Sequence, residues 1–419
     1  MIVDNLTDLV TSSQRILLLQ GPIGPFFKDF ADWLVNTQEK YVYKFNFNSG
    51  DKYYFSSTLE NQFIIDYCDS LENFESYLYN FCQQYQIDAV VCFGDTRPYH
   101  RIAKTVTKQL QRSFWVFEEG YFRPHYITLG KEGVNAFALL PRDKSFFLEQ
   151  LPYLKEPKQP LPVAKGFFPM ARLATCYYIA ACHSQKYYPL YQHHRIYNLR
   201  YYIKLWAISG IKRAWYYWKD RSFAKQVEQQ KFGDFYLVPL QVYDDSQVKI
   251  HCDFDSVEQF LIYVLDSFVK DAPAHLTLIV KHHPMDRGFI SYQPIIDRYL
   301  QRYPQLHNRL FYILDVPMPV LLRYGKGMVT LNSTSGLSAL IHNMPVITLG
   351  RANYNIPGIT HQGTLAEFWH NPQQPDQKAF HAYHLYHLNK TQINGSFYNK
   401  VILPQHKLIR NISEKDTID

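Results

Sequence analysis

The chain has 419 residues, 47% of them hydrophobic and 16% aromatic, a globular composition too long for one ordinary core, so two domains are expected. Its net charge of +7 (44 Lys and Arg against 37 Asp and Glu) favours an anionic partner: a nucleotide, an anionic sugar, a phospholipid head group or nucleic acid. Six cysteines without a CxxC pair exclude a disulfide frame or a zinc knuckle, and the scattered thiols predict a reducing, cytosolic setting.

In chain order, "MIVDNLTDLVTSSQR" carries acids and no apolar run, so no signal peptide is expected. No uninterrupted run of about 18 apolar residues follows anywhere, which predicts no membrane span. "RILLLQGPIGPFFKDFADWL" reads as a strand, a Gly/Pro loop with Gly21 and Gly24, and an amphipathic helix carrying Phe26, Phe27, Phe30, Trp33 and Leu34. "YVYKFNFN" and "IDAVVCFGD" read as strands, "RIAKTVTKQLQ" as a helix, and "SFWVFEEG" as the next strand. Alternation of this kind predicts a parallel, doubly wound sheet over residues 1–150.

Residues 151–231 differ. A proline-rich connector, "LPYLKEPKQPLPVAKGFFP", leads into helical segments dense in Tyr, Trp and basic side chains. Residues 186–231 hold ten Lys or Arg against Asp220 and Glu228. In "RYYIKLWAISGIKRAWYYWKDR" the cations, Lys212 and Arg213 among them, interleave with Trp215 and Trp218, as in an interfacial amphipathic helix. The competing reading is a solvated linker whose aromatics pack on one domain.

A second alternating run spans 232–375: "DFYLVPLQV", "SVEQFLIYVLDSFVKD", "HLTLIVKHHP", "LFYILD", "GMVTLNSTSGLSALIHN" and "MPVITLG". Residues 376–419 remain as a C-terminal tail with helices. The fold class is therefore α/β and GT-B-like: two doubly wound Rossmann-type domains facing a cleft, joined by a basic-aromatic helical segment. Ligands of such sheets bind beyond the C-terminal ends of strands, so the residues just after strands matter most.

Several of those residues carry chemistry. "SFWVFEEGYFRPHY" delivers Glu118 and Glu119 to a strand end with Arg123 close behind. Neighbours on a strand point to opposite faces, so one carboxylate supports while the other faces the cleft; a structural salt-bridge pair is the alternative. Arg123 suits a carboxylate ligand. "TLNSTSGLSAL" sets Ser333, Thr334, Ser335 and Gly336 between strand and helix, suited either to a phosphate or to a plain N-cap. "KHHPMDRG" ends a strand in Lys281, His282, His283 and Pro284, a cationic end that supports an anion site, with His283 a donor to a leaving phosphate. Gln241 follows a strand, ahead of Asp244 and Asp245. Asp253 and Asp255 imitate a DxD metal motif, but Ser256 and Gln259 have capping-box spacing, and capping is the expectation. His381, His384 and His387 are read as a solvated or packing face rather than metal ligands.

Taken together, "LLLQGPIGPFFKDFADWL", "YKFNFNSGD", "FGDTRPYH", "FEEGYFRPHYITLGKEGVNA", "LVPLQVYDDSQV", "KHHPMDRG" and "NSTSGLSALIHNMPVITLGRANYNIPG" resemble the KpsS/LipB family of bacterial capsule synthesis proteins, in order from about residue 15 to 375. The resemblance implies a retaining β-Kdo glycosyltransferase that takes Kdo from CMP-Kdo and places it on (lyso)phosphatidylglycerol, starting the Kdo linker of a capsular polysaccharide. It implies a peripheral location on the inner face of the cytoplasmic membrane. It also implies no metal or other cofactor, no nucleic-acid partner, and an association with other capsule proteins such as the linker-extending Kdo transferase. In the related KpsC-type transferases "EDG" stands where this chain has "EEG", which aligns Glu119 with their Asp nucleophile. Gln241, His283, Pro284, Ser333 and Thr334 fall on the donor-binding motifs, and Gly21, Gly24, Asp95 and Arg97 on the acceptor side. Two other readings stay open: a non-catalytic lipid-binding or scaffold subunit of capsule assembly and export, and a GT-B enzyme using another sugar nucleotide.

Overall fold

The computed structural model describes residues 2–56, 58–163, 167–183, 185–192, 199–243 and 252–409. The chain divides into two compact units, one of Met1–Leu139, Gln150–Leu199 and His384–Asp419, the other of Leu140–Glu149 and Arg200–Tyr383. Each contains one mainly parallel sheet.

In the first unit the strands are β1 (Arg15–Leu18), β2 (Tyr41–Asn46), β3 (Gln62–Asp66), β4 (Ala89–Phe93), β5 (Ser113–Glu119) and β6 (Tyr126–Lys131). The second unit holds β7 (Phe235–Pro239), β8 (Thr277–Lys281), β9 (Leu310–Ile313), β10 (Gly327–Thr330) and β11 (Val346–Thr348). The chain then returns to the first sheet as β12 (Gln392–Asn394). The first sheet runs β12-β6-β5-β4-β1-β2-β3 and the second β11-β10-β7-β8-β9. The parallel strands of both sheets share one winding: the first strand is central, the next two lie to one side and the last two to the other. Such an order reverses direction once, between β1 and β4 and between β7 and β10, and a doubly wound sheet opens its ligand crevice at that point. The doubly wound α/β class expected from the sequence is the class observed.

Side-chain periodicity explains the layers. On β5, Trp115 and Phe117 pack with Phe26, Phe27 and Phe30 of the helix Phe26–Asn36 on one face of the sheet. Phe114 and Val116 pack on the other face with Phe74, Leu78, Ala103 and Val106 of the helices Phe74–Gln84 and Pro98–Gln109. Each such fully buried aromatic contributes on the order of 2–3 kcal/mol. In the second unit the helix Val257–Asp271 buries Val257, Phe260, Leu261, Val264, Leu265 and Phe268, a stripe of helical period.

Three expectations are corrected. The first sheet is not wholly parallel: β6 and β12 close its edge in antiparallel register. Residues 151–231 do not form a separate connector, because they carry apolar faces of their own that each need a core. The helix Phe167–His183 docks on the first unit, where the Tyr177 hydroxyl contacts Asp51 at 3.0 Å. The helix Leu199–Glu228 docks on the second, where buried Asp220 accepts from the N–H groups of Leu314 and Asp315 at 2.6 and 2.8 Å. Lastly, the described part of 376–419 holds a helix, Gln377–Lys390, as expected, but it is not a tail: β12 completes the first sheet, and Phe397 joins its core.

Candidate functional site

The sites of the two units are built separately. In the second, β7 ends at Pro239, and Gln241 stands two residues beyond it. β10 ends at Thr330, and Asn332 stands two residues beyond that. The two side chains meet across the switch point: Gln241 Nε2 donates to Asn332 Oδ1 at 3.0 Å, and its Oε1 accepts from the Asn332 N–H at 3.3 Å. On the other flank of β7, Pro239 pairs in register with Lys281 of β8. His283 therefore occupies the same level beyond β8 that Gln241 occupies beyond β7. A hydrogen bond of 2.8 Å from the Tyr243 N–H to Asp286 Oδ2 ties these two loops together.

The serine loop is shaped by its own hydroxyls. Ser333 Oγ accepts from the Ser335 N–H at 3.2 Å and lies 3.1 Å from Ser335 Oγ. Thr334 is the N-cap of the helix Ser335–Ile341, yet its side chain makes no capping bond. Ser333, Thr334 and Ser335 all remain half-buried. Gly336 is required by packing, since a Cβ there would collide with the Tyr354 hydroxyl, which itself donates to the Ser333 carbonyl at 2.5 Å.

The cationic strand end divides by burial. Lys281 and His282 are buried, and desolvation pulls them down to about 8 and about 4. His282 Nδ1 contacts the Tyr312 hydroxyl at 2.7 Å, so this residue serves the scaffold. His283 is half-buried, and its Nδ1 accepts from the Met285 N–H at 3.2 Å. That bond assigns the proton of a neutral ring to Nε2 and makes Nε2 a donor. Pro284 is exposed and opens the 3-10 turn Pro284–Asp286.

In the first unit, Glu118 and Glu119 end β5 opposite Thr128 and Ile127 of β6. The strand alternation separates them. Glu118 shares the face of Val116 and Phe114, toward Gly94 and Asp95, and its Oε1 accepts from the Glu119 N–H at 2.9 Å. Burial pushes its carboxyl up to about 7, the neighbouring charges of Glu119 and Asp95 add to that, and Arg123 opposes it. Asp95 is itself raised by burial, with Oδ2 accepting from the Val134 N–H at 3.0 Å. Glu119 lies on the opposite face, and its charge adds to burial in holding the Tyr398 hydroxyl above its ordinary range. Arg123 is exposed, and its Nε reaches toward the Gly120 carbonyl at 3.4 Å. Gly120 has no room for a side chain, because a Cβ would strike the Tyr126 carbonyl where the chain doubles back into β6.

The remaining residues lie elsewhere. Arg97 bonds Gln20 Oε1 at 2.8 Å across the first unit's switch point. Gln20 Nε2 in turn reaches the Tyr191 hydroxyl at 2.9 Å and both Asp51 oxygens at 3.3 Å. Gly21 and Gly24 line a cavity of about 20 Å³ beside it, walled by Lys44, Asp51 and Tyr177. That is space for a single water. On the helix Leu199–Glu228, Trp215 and Trp218 are 55% and 76% exposed beside Ile211 at 74%. Arg213 is exposed with them, whereas Lys212 is half-buried.

The competing motifs resolve by contact. Ser256 Oγ accepts from the Gln259 N–H at 3.1 Å, and Gln259 Oε1 accepts from the Asp255 N–H at 2.7 Å, so Ser256 and Gln259 cap the helix that follows the DFD stretch, as expected. His387 is buried against Tyr121 and pulled down to about 3, and His384 packs on Phe122. His381 is exposed. Among the described residues no group of three His, Cys, Asp or Glu is arranged to hold a metal ion. Asp244 and Asp245 lie outside the described residues. Gln20 was missed by sequence reasoning, and its place two residues beyond the first strand was the available signal.

Residues 88–398 match the family described as capsule polysaccharide biosynthesis protein. The chain is 55% identical over 406 residues to the capsule polysaccharide modification protein LipB of Neisseria meningitidis serogroup B, covering 96% of each. It is 38% identical over 398 residues to the capsule polysaccharide export protein KpsS of Escherichia coli, covering 94% of this chain and 99% of that one. Among solved structures it is similar to a Thermosulfurimonas dismutans KpsC β-Kdo 2,7-transferase at 14% identity and a TM-score of 0.38, over 81% of this chain and 88% of that one. With the family matched over most of its length and relatives aligned almost end to end, the chain belongs to the KpsS/LipB family of capsule polysaccharide biosynthesis proteins.

Proposed function

We propose that the protein is a retaining β-Kdo transferase that moves Kdo from CMP-β-Kdo to a (lyso)phosphatidylglycerol acceptor, initiating the Kdo linker of a capsular polysaccharide. The observation that carries the proposal is the pairing of Gln241 with Asn332, next to the serine loop, across one switch point, with His283 at the level of Gln241 beyond the adjacent strand. A nucleotide monophosphate leaving group needs its charge stabilised and little else. The Ser333, Thr334 and Ser335 hydroxyls and the His283 Nε2–H are donors suited to that task.

Kdo carries a carboxylate on a quaternary anomeric carbon. In a double displacement, Glu119 forms a bond to that carbon as the bond to the CMP phosphate oxygen breaks. The acceptor hydroxyl then displaces Glu119, losing its proton, and the configuration is retained. A front-face route gives the same configuration without a covalent adduct, and mass analysis of trapped protein separates the two. Glu118, with a carboxyl near neutrality in its pKa, limits the charge that builds up beside Glu119. The scheme calls for no metal.

The acceptor reading is supported by the helix Leu199–Glu228. Its outward side carries Ile211, Trp215 and Trp218 among Arg213, Lys219 and Arg221, and Lys219 lies over the Trp215 ring at 5.5 Å. Aromatics and cations on one exposed face suit an anionic bilayer surface. No helix among the described residues is long and apolar enough to cross a membrane, so the proposed location is peripheral, on the inner face of the cytoplasmic membrane.

The deciding experiment combines purified protein, CMP-Kdo and lysophosphatidylglycerol, with product mass and anomeric configuration as readouts. A β-linked Kdo-lipid is expected. Binding of CMP without transfer to any acceptor points instead to another sugar nucleotide. No binding of CMP points to a non-catalytic subunit, the role suggested by the word export in the Escherichia coli relative's name.

A further inference from the structure

Each sheet ends in two edge strands, and one of these edges is built differently from the rest. β11 and β12 hold three residues each and β9 four, short edges that offer a passing strand little backbone. β3, the other edge of the first sheet, runs five residues, Gln62–Asp66, in unbroken parallel register with β2. It contains neither proline nor lysine, the residues that commonly blunt an edge.

The phase of its hydrogen bonds fixes what this edge presents. The Val42 N–H bonds to the Asn61 carbonyl, and the Tyr67 N–H to the Asn46 carbonyl, each at 2.9 Å. In a parallel ladder this phase turns the backbone of Phe63 and Ile65 toward β2 and that of Gln62, Ile64 and Asp66 outward. The Gln62 N–H is taken by the Leu59 carbonyl at 3.1 Å. The Gln62 carbonyl, both backbone groups of Ile64 and the Asp66 N–H meet no hydrogen-bonding partner among the described residues.

Beside the edge lies a band of exposed rings. Phe63 is 44% exposed, and Tyr77 and Tyr85 38% each. Buried rings join them. Tyr43 stacks on Phe63 at 4.9 Å and meets Tyr85 at 5.4 Å, and Phe81 lies 4.4 Å from Tyr85 and 6.3 Å from Tyr77. That continuity sets the band apart from apolar residues scattered singly over a surface.

We infer that β3 is a homodimer edge, pairing antiparallel with β3 of a second copy about a two-fold axis through Ile64. The stretch Gln-Phe-Ile-Ile-Asp selects this occupant because in that register it is complementary to itself. Ile64 lies opposite Ile64, and their outward N–H and C=O groups exchange hydrogen bonds. Phe63 lies opposite Ile65 of the second copy on the aromatic face, and the Asp66 N–H meets the Gln62 carbonyl. No charge faces its like, since Asp66, ion-paired with Lys52, stands opposite a neutral glutamine. Sliding the pairing by two residues sets Asp66 against either Glu60 or Ile64, a like charge or an apolar side chain. One short strand and three rings a side make a small interface, in the class of transient associations, so a micromolar dimer is expected.

The test is sedimentation velocity of the full-length protein at micromolar concentrations, where the mass should rise with concentration from that of one chain to that of two. Phe63→Lys places a cation on the edge, and Tyr85→Lys places one on the ring band outside the sheet. Each should abolish the rise while circular dichroism matches the parent. Register is read by Ile64→Cys in a Cys68→Ser background, oxidised with diamide. Opposed residues of a hydrogen-bonded antiparallel pair lie about 5.5 Å apart at Cα, within disulfide reach. A cross-linked dimer is expected there and none from Ile65→Cys, which faces Phe63. A parent that stays one chain at every concentration overturns the inference and leaves the edge to a strand of another protein. A dimer that survives both lysine substitutions, or that Ile64→Cys fails to cross-link, overturns it as well and places the interface elsewhere.

Discussion

The two switch points are built alike and used differently. In each, a glutamine two residues beyond the first strand reaches across to the loop after the fourth: Gln20 to Arg97, and Gln241 to Asn332. In the first unit the crevice is filled from within. Gln20 is held by Tyr191 and Asp51, Tyr177 closes over Asp51, and the space left is about 20 Å³. In the second, the glutamine adjoins a loop of half-buried hydroxyls. One winding thus gives a plugged crevice and a hydroxyl-lined one. In the first unit the chemistry we propose lies away from the switch point, at the end of β5, where Glu118 and Glu119 sit. Topology supplies the opportunity for a site, and side chains decide whether it is taken.

The largest expected effect is at β5. Glu119→Gln should lower transfer by orders of magnitude while circular dichroism and CMP affinity stay as in the parent, because an amide is no substitute for a nucleophilic carboxylate. Turnover close to the parent's would move attention to Glu118.

The comparison of the crevices is broken or kept by paired substitutions. His283→Ala, Ser333→Ala and Gln241→Ala should each weaken CMP binding by about 1–3 kcal/mol, measured by titration calorimetry. Gln20→Ala should lower stability by a similar amount, by leaving buried polar partners unsatisfied, and leave CMP affinity alone. Equal CMP losses on both sides would mean the first crevice also serves the donor.

A smaller effect separates the two carboxyls. The folded state holds Glu118 at about 7, above the ordinary value of 4.5, so it keeps a proton that the unfolded chain releases. Its contribution to stability is therefore lost as pH rises from about 4.5 to about 7. Glu118→Gln does not titrate. Urea melts at pH 5 and pH 8 should show the variant gaining about 1–2 kcal/mol on the parent at the higher pH, a figure discounted for partial exposure. No change in that difference would mean the carboxyl is not desolvated.

The smallest effect concerns the helix Leu199–Glu228. Sedimentation with phosphatidylglycerol vesicles should fall with salt, and by about 1 kcal/mol for each of Arg213→Glu and Arg221→Glu. Binding that ignores salt and both charge reversals would return this face to an ordinary solvated role.

Much of the site was legible because its signals are local. Glu118 and Glu119 announce themselves by where an apolar run stops, and the serine loop by its place between strand and helix. The capping role of Ser256 was legible for the same reason, since a cap is complete within four residues. The core role of Phe397 was not legible, because its ring partners Phe26, Phe93 and Phe117 lie far earlier in the chain. The scaffold role of Lys281 and His282 was hidden as well, because burial at a strand end depends on what covers it.

The sequence by itself determined the doubly wound class of both sheets, four strands of the first and all five of the second, and the residues presented at those strand ends, because periodicity and turn chemistry are properties of short segments. Only the tertiary structure decided which unit each connecting helix joined, that β12 completes the first sheet, and which of two adjacent glutamates is turned toward Asp95. These outcomes follow from burial: an apolar face or an unpaired strand edge takes whichever partner the folded chain brings within reach.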